Sequence, residues 1–350
     1  MKTNRLSAAL AVIAVAGFMA CNKTGPQVTS VTVTPDRLTL KVGETGQLTA
    51  EILPADAQQG QAVEWTSDNP DVAGVSTEGL VTATGGGTAV ITASCSGKSA
   101  TCTVTVSAEP VTGDYYYSDG TWSTEHDPGK EVIGIVFWTG NPSDEDPTLA
   151  RDFPGCTNGL AVAISGDETS AWQSQSSSYG STVWAWAEAN TEGFVNGMCE
   201  DAYSADDNLN KKLGYNNTKV AEAFNEGAGN GPWPVDAVEK AVAYREAVPA
   251  PETSSDWYLP SAKELSLLCS GQTEDENIYD IYGVTDIVEI VNERLSAIGA
   301  EPMILDGGYY WSSTESGNSY AVEISFSSGS VDDMGTKSSD SERVRFILAF

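Results

Sequence analysis

Histidine is nearly absent from this chain, and His126 is the single one among 350 residues. Histidine is the commonest metal ligand and the usual general base near neutral pH. No Cys-x-x-Cys pair occurs in the sequence to supply zinc ligands instead. The composition therefore disfavours ordinary zinc sites and histidine-based catalysis, and we expect a protein that is not an enzyme.

Basic residues are also scarce, with 18 Lys and Arg against 49 Asp and Glu and a formal net charge of −31. Nucleic-acid binding requires clustered Lys and Arg that neutralise phosphates, so this charge excludes nucleic acid as a partner. It equally disfavours other polyanions and direct adsorption to anionic lipid. The apolar fraction of 40%, with nine tryptophans, is sufficient for packed cores.

Long apolar runs are confined to the N-terminus. Lys2 and Arg5 precede a small and apolar stretch at residues 8–20, which is too short to span a bilayer and is typical of an export signal. The stretch ends in "GFMAC", which resembles a lipobox, the motif whose cysteine is diacylated and becomes the new N-terminus. We expect a signal peptide at residues 1–20 and lipidation at Cys21, with an ordinary signal peptide as the alternative.

The N-terminal lipid is the one membrane attachment that the sequence predicts. Removal of the signal peptide leaves 16 basic and 49 acidic residues, a net charge of −33. Residues 21–27 form a tether, and we expect lipid anchoring in the outer membrane. The tether reads "NKTGPQ" after the cysteine and lacks the acidic residues that resemble an export signal for surface lipoproteins, so display at the cell surface stays open.

Five cysteines follow Cys21, a usage that suits an oxidising compartment. Cys95 and Cys102 flank "SGKSAT" between two β-rich runs, and a disulfide between adjacent strands is one possible pairing. The remaining three cannot all pair, and their spacing does not choose between the alternatives. They are Cys156, Cys199 and Cys269.

Residues 28–106 alternate apolar and polar residues at period two, with turn residues every eight to twelve positions, which is typical of a β-sandwich. The segments "VTVTP", "LKVGETGQLTAEILPADA" and "VEWTSDNPDVAGVSTEGLVTATGGGTAVITA" resemble the group 2 bacterial Ig-like domain. The resemblance implies an all-β Ig-like fold, a core position for Trp65, and a role as a spacer or adhesion module.

Residues 107–113 have the composition of a linker, and residues 114–350 alternate predicted strands with predicted helices. "EVIGIVFWTG" and "GLAVAIS" predict buried strands, whereas "NTKVAEAFNEG" and "PVDAVEKAVAYREAV" predict helices. The Ser-, Asn- and Gly-rich residues 165–235 resemble a long insertion. We therefore expect a multidomain chain in which an α+β domain follows the sandwich.

Two phrases, "WYLPSAKEL" and "YYWSSTES", stand out in this second domain. Ser261 and Glu264 have the spacing of a capping box, which predicts a firmly started helix and a structural role for the glutamate. Asp286 and Glu289 have the same spacing and predict a second capped helix. The phrase "YYWSSTES" opens a predicted three-stranded meander with one buried face, closed by a long loop and the strand "RVRFILAF".

These residues resemble the C-terminal domain of collagen-like bacterial adhesins, within the C-type-lectin-like fold group. The resemblance covers about residues 130–350 and implies a C-type-lectin-like head that presents loops. Formylglycine-generating enzymes share this fold group but use cysteines near the C-terminus, and this chain has none after Cys269. The matching residues are Trp257, Leu259, Pro260, Ser261, Glu264, Leu265, Trp311, Ser312, Ser313, Thr314, Phe326, Gly329, Lys337, Arg343, Val344 and Arg345.

Carbohydrate is the first ligand that the predicted head suggests, because aromatic rings stack on sugars beside polar side chains. Trp172, Tyr179, Trp184 and Trp186 lie among Ser, Gln and Asn and are the candidate ligand-binding residues, with a core role as the alternative. Trp184 and Trp186 are predicted to share one face of a strand.

Calcium is a weaker prediction, and no other cofactor is expected. Acidic clusters could supply oxygen ligands, although none fits an EF-hand and solvated surface is the more ordinary interpretation. The clusters are Asp144 to Asp146, Asp206 to Asp207, Glu274 to Glu276 and Asp332 to Asp333.

Two functions remain after these exclusions. The main hypothesis is a cell-envelope lipoprotein whose Ig-like stalk presents a non-catalytic head that binds glycan or a host-surface ligand. The alternative is a structural or assembly subunit of a surface appendage, with another envelope protein as its partner. Solvent-facing tryptophans would favour the first, and fully packed tryptophans would favour the second.

Overall fold

The computed structural model describes residues 26–58, 61–271, 277–280 and 285–350. The predicted signal peptide, Cys21 and the acidic cluster at residues 274–276 lie outside these ranges. The chain divides into two compact units, which meet in sequence between Ala108 and Glu109. Across the described ranges, every helix is too short or too polar to cross a membrane.

The first unit is an all-β sandwich. Its longest strands form an antiparallel hairpin, and a further strand runs parallel to the second of them. The nine strands are β1 Ser30–Thr34, β2 Arg37–Lys41, β3 Thr45–Gln47, β4 Thr49–Leu53, β5 Glu64–Ser67, β6 Ala73–Val75, β7 Leu80–Ala83, β8 Gly87–Cys95 and β9 Lys98–Ser107.

Period-two patterning decides which side chains of this unit are buried. In β9 the buried residues Cys102, Val104 and Val106 alternate with exposed threonines and belong to one apolar cluster. Trp65 is half-buried and packs against this cluster and a second one around Ile52. The predicted core position of the tryptophan is therefore an intersheet position with one edge in solvent.

The proposed disulfide between Cys95 and Cys102 does not form. The hairpin register pairs Cys95 with Lys98 and Cys102 with Ile91. Ile91, the partner of Cys102, lies four residues before Cys95 on β8, which is about 13 Å along the strand. A disulfide needs Cα atoms within about 7 Å. No disulfide joins any of the five described cysteines. The turn at Ser96–Gly97 is tighter than the sequence prediction assumed.

The second unit is a mixed α/β domain with two five-stranded sheets. Its strands are β10 Tyr115–Tyr117, β11 Trp122–Ser123, β12 Val132–Thr139, β13 Gly159–Ala163, β14 Glu168–Thr169, β15 Tyr309–Glu315, β16 Tyr320–Ser325, β17 Val331–Thr336, β18 Arg343–Val344 and β19 Ile347–Ala349. Its helices are α1 Pro147–Asp152, α2 Ser176–Tyr179, α3 Val183–Asn190, α4 Gly214–Glu226, α5 Asp236–Ala247, α6 Ala262–Ser270 and α7 Asp286–Ala297.

The predicted linker is shorter than its composition suggests. Ser107 is the last residue of β9, and Gly113 donates a backbone hydrogen bond to Val136 of β12. Asp114 is buried and accepts a hydrogen bond from the backbone of Val111. The first residue of the predicted linker therefore belongs to a strand, and the last one is hydrogen-bonded to a strand.

The C-terminal segment passes from one sheet to the other. β18 pairs with β14 and β15, whereas β19 pairs with β13 in the second sheet. The single predicted strand "RVRFILAF" is thus two strands, since Arg345 and Phe346 interrupt the pairing. Part of the predicted loop before it is also a strand, because β17 pairs antiparallel with β16.

The sheet of β15 and β16 is buried on both faces, which corrects the prediction of one buried face. Glu323 and Ser325 of β16 are as inaccessible as their apolar neighbours Val322 and Ile324. Helix α6 packs against both strands, and Val322 contacts Ala262 of α6 as well as Cys199 and Leu209 from the segment before α4. The alternating pattern failed here because β16 carries buried polar residues on its second face.

The capping box at the start of α6 is present. The Ser261 Oγ accepts from the Glu264 backbone, and the Glu264 carboxylate accepts from the Ser261 backbone at 2.7 Å. The second predicted box is absent, because Thr285 precedes α7 and makes no side-chain cap, while Asp286 is already helical. The three-residue spacing predicted a capping box correctly only at α6, where Pro260 precedes the N-cap residue Ser261.

Both stereotyped phrases meet at one junction. The Ser313 backbone donates to the carbonyl of Pro260 at 2.7 Å, and the Ala262 backbone donates to the Thr314 hydroxyl at 3.0 Å. Trp257 is fully buried, and its indole donates to the carbonyl of Val248. The phrases therefore build the scaffold of this unit.

We expect Glu264→Gln to reduce the pH dependence of stability. Burial raises the pKa of Glu264 to about 7, although Ser261 and Tyr258 donate hydrogen bonds to it. The folded state therefore holds this proton more tightly, and the stabilisation present below pH 4.5 is lost as the pH rises through 7. Urea unfolding at pH 5.5 and 8 should show the dependence reduced by about 2 kcal/mol in the variant.

The matched control is Glu289→Gln, because Glu289 is an exposed glutamate in the first turn of α7. It should keep the dependence of the unaltered protein. Asp146 and Glu323, whose pKa values burial raises to about 6 and about 8, leave a residual dependence in both variants. An unchanged slope in Glu264→Gln would assign the effect to those two groups alone.

Candidate functional site

A cleft of about 300 Å³, including its open mouth, lies between α3, α4 and the end of β15. Val183 and Trp184 line it from α3, and Asn217 and Val220 line it from α4. Ser313 lies on β15 and completes the wall.

Two of the four aromatic residues predicted to bind ligand lie at this cleft. Trp172 is buried at its base, and Trp184 is half-buried at its rim. Tyr179 and Trp186 instead pack on the ring of Phe224, with centroids 5.0 and 5.4 Å away. The aromatic set is therefore divided between a cleft and a packed cluster.

Trp184 and Trp186 lie on a helix, not on the predicted strand. Thr182 caps α3, since its hydroxyl accepts from the Ala185 backbone at 3.0 Å. The carboxylate of Glu315 accepts from the backbones of Val183 and Trp184 at 2.8 and 3.1 Å. A carboxylate at a helix N-terminus interacts favourably with the helix dipole. Glu315, which is 132 positions from Val183 in sequence, therefore stabilises the first turn of α3.

Glu315 also forms a buried ion pair with Lys337, whose side chain is fully inaccessible. The Lys337 ammonium lies 4.7 Å from the ring centroid of Trp172. Burial lowers the pKa of Lys337, and the neighbouring Glu315 opposes that shift. The Glu315 carboxylate thus accepts from the Lys337 ammonium and from two backbone N–H groups. Its charge is balanced by that of Lys337, so the pair adds no net charge to the cleft.

Ser313 reaches the cleft because β15 is irregular at this point. Its pairing with β16 shifts between Trp311 and Glu315, so the intervening residues leave the regular ladder. Two indoles hold the irregular segment in place. Trp172 donates to the Ser312 carbonyl and Trp311 to the Ser170 carbonyl, both at 2.9 Å.

Asn217 reaches the cleft from the first turns of α4. A side chain at position 197 would collide with it, since a Cβ there would lie 1.8 Å from the Asn217 Oδ1 atom. Gly197 therefore leaves the room that this amide needs. Among the described residues, neither the Nδ2 of Asn217 nor the Oγ of Ser313 has a hydrogen-bond partner, although both atoms are buried.

The acidic clusters do not form a metal site in the part of the chain that the structure describes. No group of three or more His, Cys, Asp or Glu side chains could hold an ion there. Asp146 instead caps α1 by accepting from Thr148 and Leu149, and Asp207 caps the short helix Asn208–Asn210. Calcium binding stays a prediction.

The three other cysteines are buried in apolar surroundings. Cys156 and Cys269 belong to one core cluster, and Cys199 belongs to a smaller one. Burial raises the pKa of Cys156 and of Cys269 to about 12 and raises that of Cys199 as well. Their thiolates are therefore strongly disfavoured, and these thiols are unsuited to nucleophilic chemistry.

Sequence reasoning missed most of the polar lining of the cleft. Ser313 and Lys337 were recognised as family marks without a role at a site, and Glu315 is the penultimate residue of the phrase "YYWSSTES". Asn217 lies in the segment interpreted as an insertion and carries no local signal. The place of Asn217 beside the cleft is apparent only in the structure, where its side chain occupies the space that a Cβ at position 197 would need.

We expect Glu315→Leu to be more destabilising than Lys337→Met. The first change leaves the Lys337 ammonium buried without a carboxylate and removes the acceptor of two backbone N–H groups in the first turn of α3, at a cost of about 3–5 kcal/mol. The second leaves Glu315 with two backbone donors, and the expected cost is about 1–2 kcal/mol. Urea unfolding followed by tryptophan fluorescence reports on this unit, because Trp65 is the one tryptophan outside it.

Lys240→Met is the matched control, since Lys240 forms an exposed ion pair with Glu168. Its effect should be below about 1 kcal/mol. The reverse order of the two buried substitutions would mean that the ammonium, not the carboxylate, organises this region.

Comparison with known proteins confirms the Ig-like domain of the first unit. Residues 27–106 match the sequence profile of the bacterial Ig-like domain (group 2). A stretch of 90 residues is 46% identical to lacto-N-biosidase of Bifidobacterium bifidum, covering 24% of this chain and 8% of that enzyme. The short coverage gives no information on the activity of the present chain.

A longer similarity extends to a fimbrial protein. Over 261 residues the chain is 28% identical to a fimbrium tip subunit, Fim1C, of Bacteroides ovatus, covering 68% of this chain and 45% of the relative. The chain thus spans less than half the length of the curated relatives it matches. The crystal structure of a fimbrial protein from Bacteroides ovatus is similar over 92% of this chain and 71% of that chain, with a TM-score of 0.55 and 20% identity. That likeness shows a shared fold.

Proposed function

We propose that the chain is a non-catalytic assembly subunit of a surface appendage, located at the appendage tip. The observation that carries this proposal is the 261-residue similarity to a fimbrium tip subunit. The fold likeness to a fimbrial protein over 92% of the chain supports it. Of the two functions open at the sequence level, assembly now has more support than adhesion.

The two units have separate roles in this proposal. The Ig-like domain is a spacer, in keeping with its regular sandwich and its polar exposed strand faces. The second unit is a C-type-lectin-like head, an assignment supported by the way Pro260 and Ala262 bond to Ser313 and Thr314. The two motifs that resemble the adhesin domain are thus adjacent in space.

An assembly subunit needs a surface that contacts its neighbour, and the head has an exposed apolar area suited to that purpose. Tyr203 is 87% exposed and stacks on Tyr279, with ring centroids 5.8 Å apart. Met334 is 63% exposed on the edge strand β17 and follows Asp333, the carboxylate that interacts with the Tyr279 side chain. Tyrosine and methionine are enriched at protein interfaces. We assign the contact with the next subunit to this area.

Immunogold electron microscopy tests the proposal in the bacterium that carries the gene. Antibody against the full chain should label the free ends of appendages, and deletion of the gene should abolish the label. The double variant Tyr203→Ala/Met334→Ala should reach the envelope in normal amounts but label several-fold fewer ends, because its contact area is smaller.

Tyr309→Ala is the matched control, since Tyr309 is a less exposed tyrosine on β15, a strand that does not pair with β17. It should label ends as the unaltered protein does. Label spread over the envelope without appendages would overturn the assembly role. Normal labelling by the double variant would overturn only the assigned surface.

We further propose that the chain is lipid-anchored through Cys21 in the outer membrane, with display at the cell surface. The support is the charged N-terminus, the apolar stretch and the "GFMAC" motif. Cells fed labelled palmitate should incorporate it into the protein, and Cys21→Ser should lose the label and the membrane association. Labelling of the Cys21→Ser variant would contradict lipidation at this residue.

Binding of a glycan or host-surface ligand by the head is the second candidate function. The specific observation in its favour is the cleft with two buried polar atoms that no described residue satisfies. Ligand binding and assembly are compatible, because neither Tyr203 nor Met334 lines the cleft.

A further inference from the structure

Two side chains in the cleft are buried without being satisfied. Asn217 is 9% exposed and Ser313 is 6% exposed, and both line the cleft. The Nδ2 of Asn217 and the Oγ of Ser313 have no described hydrogen-bond partner. Buried polar atoms without partners are costly and uncommon in folded proteins. Their convergence on one cavity indicates that a bound group completes their hydrogen bonds.

The orientation of both groups is fixed by the surrounding structure. The Asn216 side chain donates to the Oδ1 of Asn217 at 3.2 Å, which assigns the free side of that amide to its NH₂ group. Ser313 is held by the hydrogen bond from its backbone to Pro260. The cleft therefore presents one amide donor and one hydroxyl in preset positions.

The remaining walls exclude a charged ligand. Val183, Val220 and Ala221 supply apolar surface. Glu315 is the one acidic residue of the lining, and its carboxylate already accepts from Lys337 and from two backbone N–H groups. A fitting group is neutral, accepts one hydrogen bond, donates another, and has an apolar end.

We propose that the cleft binds the acetamido group of an N-acetylhexosamine. The carbonyl oxygen of the acetamido group accepts from the Nδ2 of Asn217, and its N–H donates to the Oγ of Ser313. The methyl group contacts Val220 and Ala221. Trp184 is half-buried at the rim, where an indole face can stack on the sugar ring. In this arrangement only the acetamido group enters the cleft, and the sugar ring lies at its open mouth.

Saturation-transfer NMR of the full chain with N-acetylglucosamine is the direct test. The acetamido methyl protons should receive the strongest saturation, because they lie deepest in the cleft. Glucose, which lacks the acetamido group, should give no saturable signal at the same concentrations. A chelator should leave binding unchanged, because the one carboxylate of the lining is already paired.

Ser313→Ala separates this proposal from a structural role of the serine. The change removes a hydroxyl that has no described partner, so the protein should be as stable as before or more so. Its affinity for N-acetylglucosamine should fall by about tenfold, as expected when a hydrogen bond to a neutral group is lost. Ala221→Leu, which fills the apolar wall, should abolish binding.

Ser266→Ala is the matched control, because Ser266 is a buried serine on α6 that does not line the cleft. It should bind N-acetylglucosamine as the unaltered protein does. Equal affinity for glucose, or an unchanged affinity in Ser313→Ala, would overturn the proposal. Absence of binding would also overturn it and would assign the two polar atoms to ordered water. None of these outcomes bears on the immunogold labelling.

Discussion

The irregular pairing between β15 and β16 is the constraint on which the second unit depends. Between Trp311 and Glu315 the register shifts, and the freed backbone and hydroxyl groups bond outside the ladder. Ser313 bonds to the turn before α6, and Thr314 caps the first helical residue. A regular strand would direct these groups to β16 instead. The irregularity therefore joins a sheet to a helix and at the same time opens one wall of the cleft.

Charge is distributed in this protein so that the interior stays nearly neutral despite a net charge of −31. Glu315 pairs with Lys337 and accepts hydrogen bonds from two helical N–H groups. No cation among the described residues pairs with Glu264 or Glu323, and burial raises their pKa values to about 7 and about 8. The same residue type is thus an ion-pair partner at a helix N-terminus in one place and a carboxyl group with a raised pKa in another. The cleft lies beside Glu315, whose charge is balanced by Lys337, so a neutral ligand suits the cleft.

Local signals predicted the parts of the fold that local chemistry decides. The period-two pattern located the Ig-like strands, and the Ser261–Glu264 spacing located α6, because neighbours in sequence make those contacts. The prediction of structure from sequence failed where contacts between residues distant in sequence determine an element. Glu315 starts α3, the shift from β18 to β19 depends on two sheets, and the Cys95–Cys102 spacing says nothing of hairpin register. Two of the four aromatic residues predicted to bind ligand lie at the candidate cleft, and no sequence pattern marks Asn217.

The unsatisfied atoms of Asn217 and Ser313 are informative because both residues line the same cleft. Asn217 lies on a helix and Ser313 on a strand, so their positions are set by rigid elements and not by loops. A site held in this way loses little conformational entropy on binding a ligand. The exposed Tyr203 and Met334 lie outside the cleft and are available for a protein partner. The head thus separates a preformed cleft for a small group from an apolar surface for assembly, and one can be altered without the other.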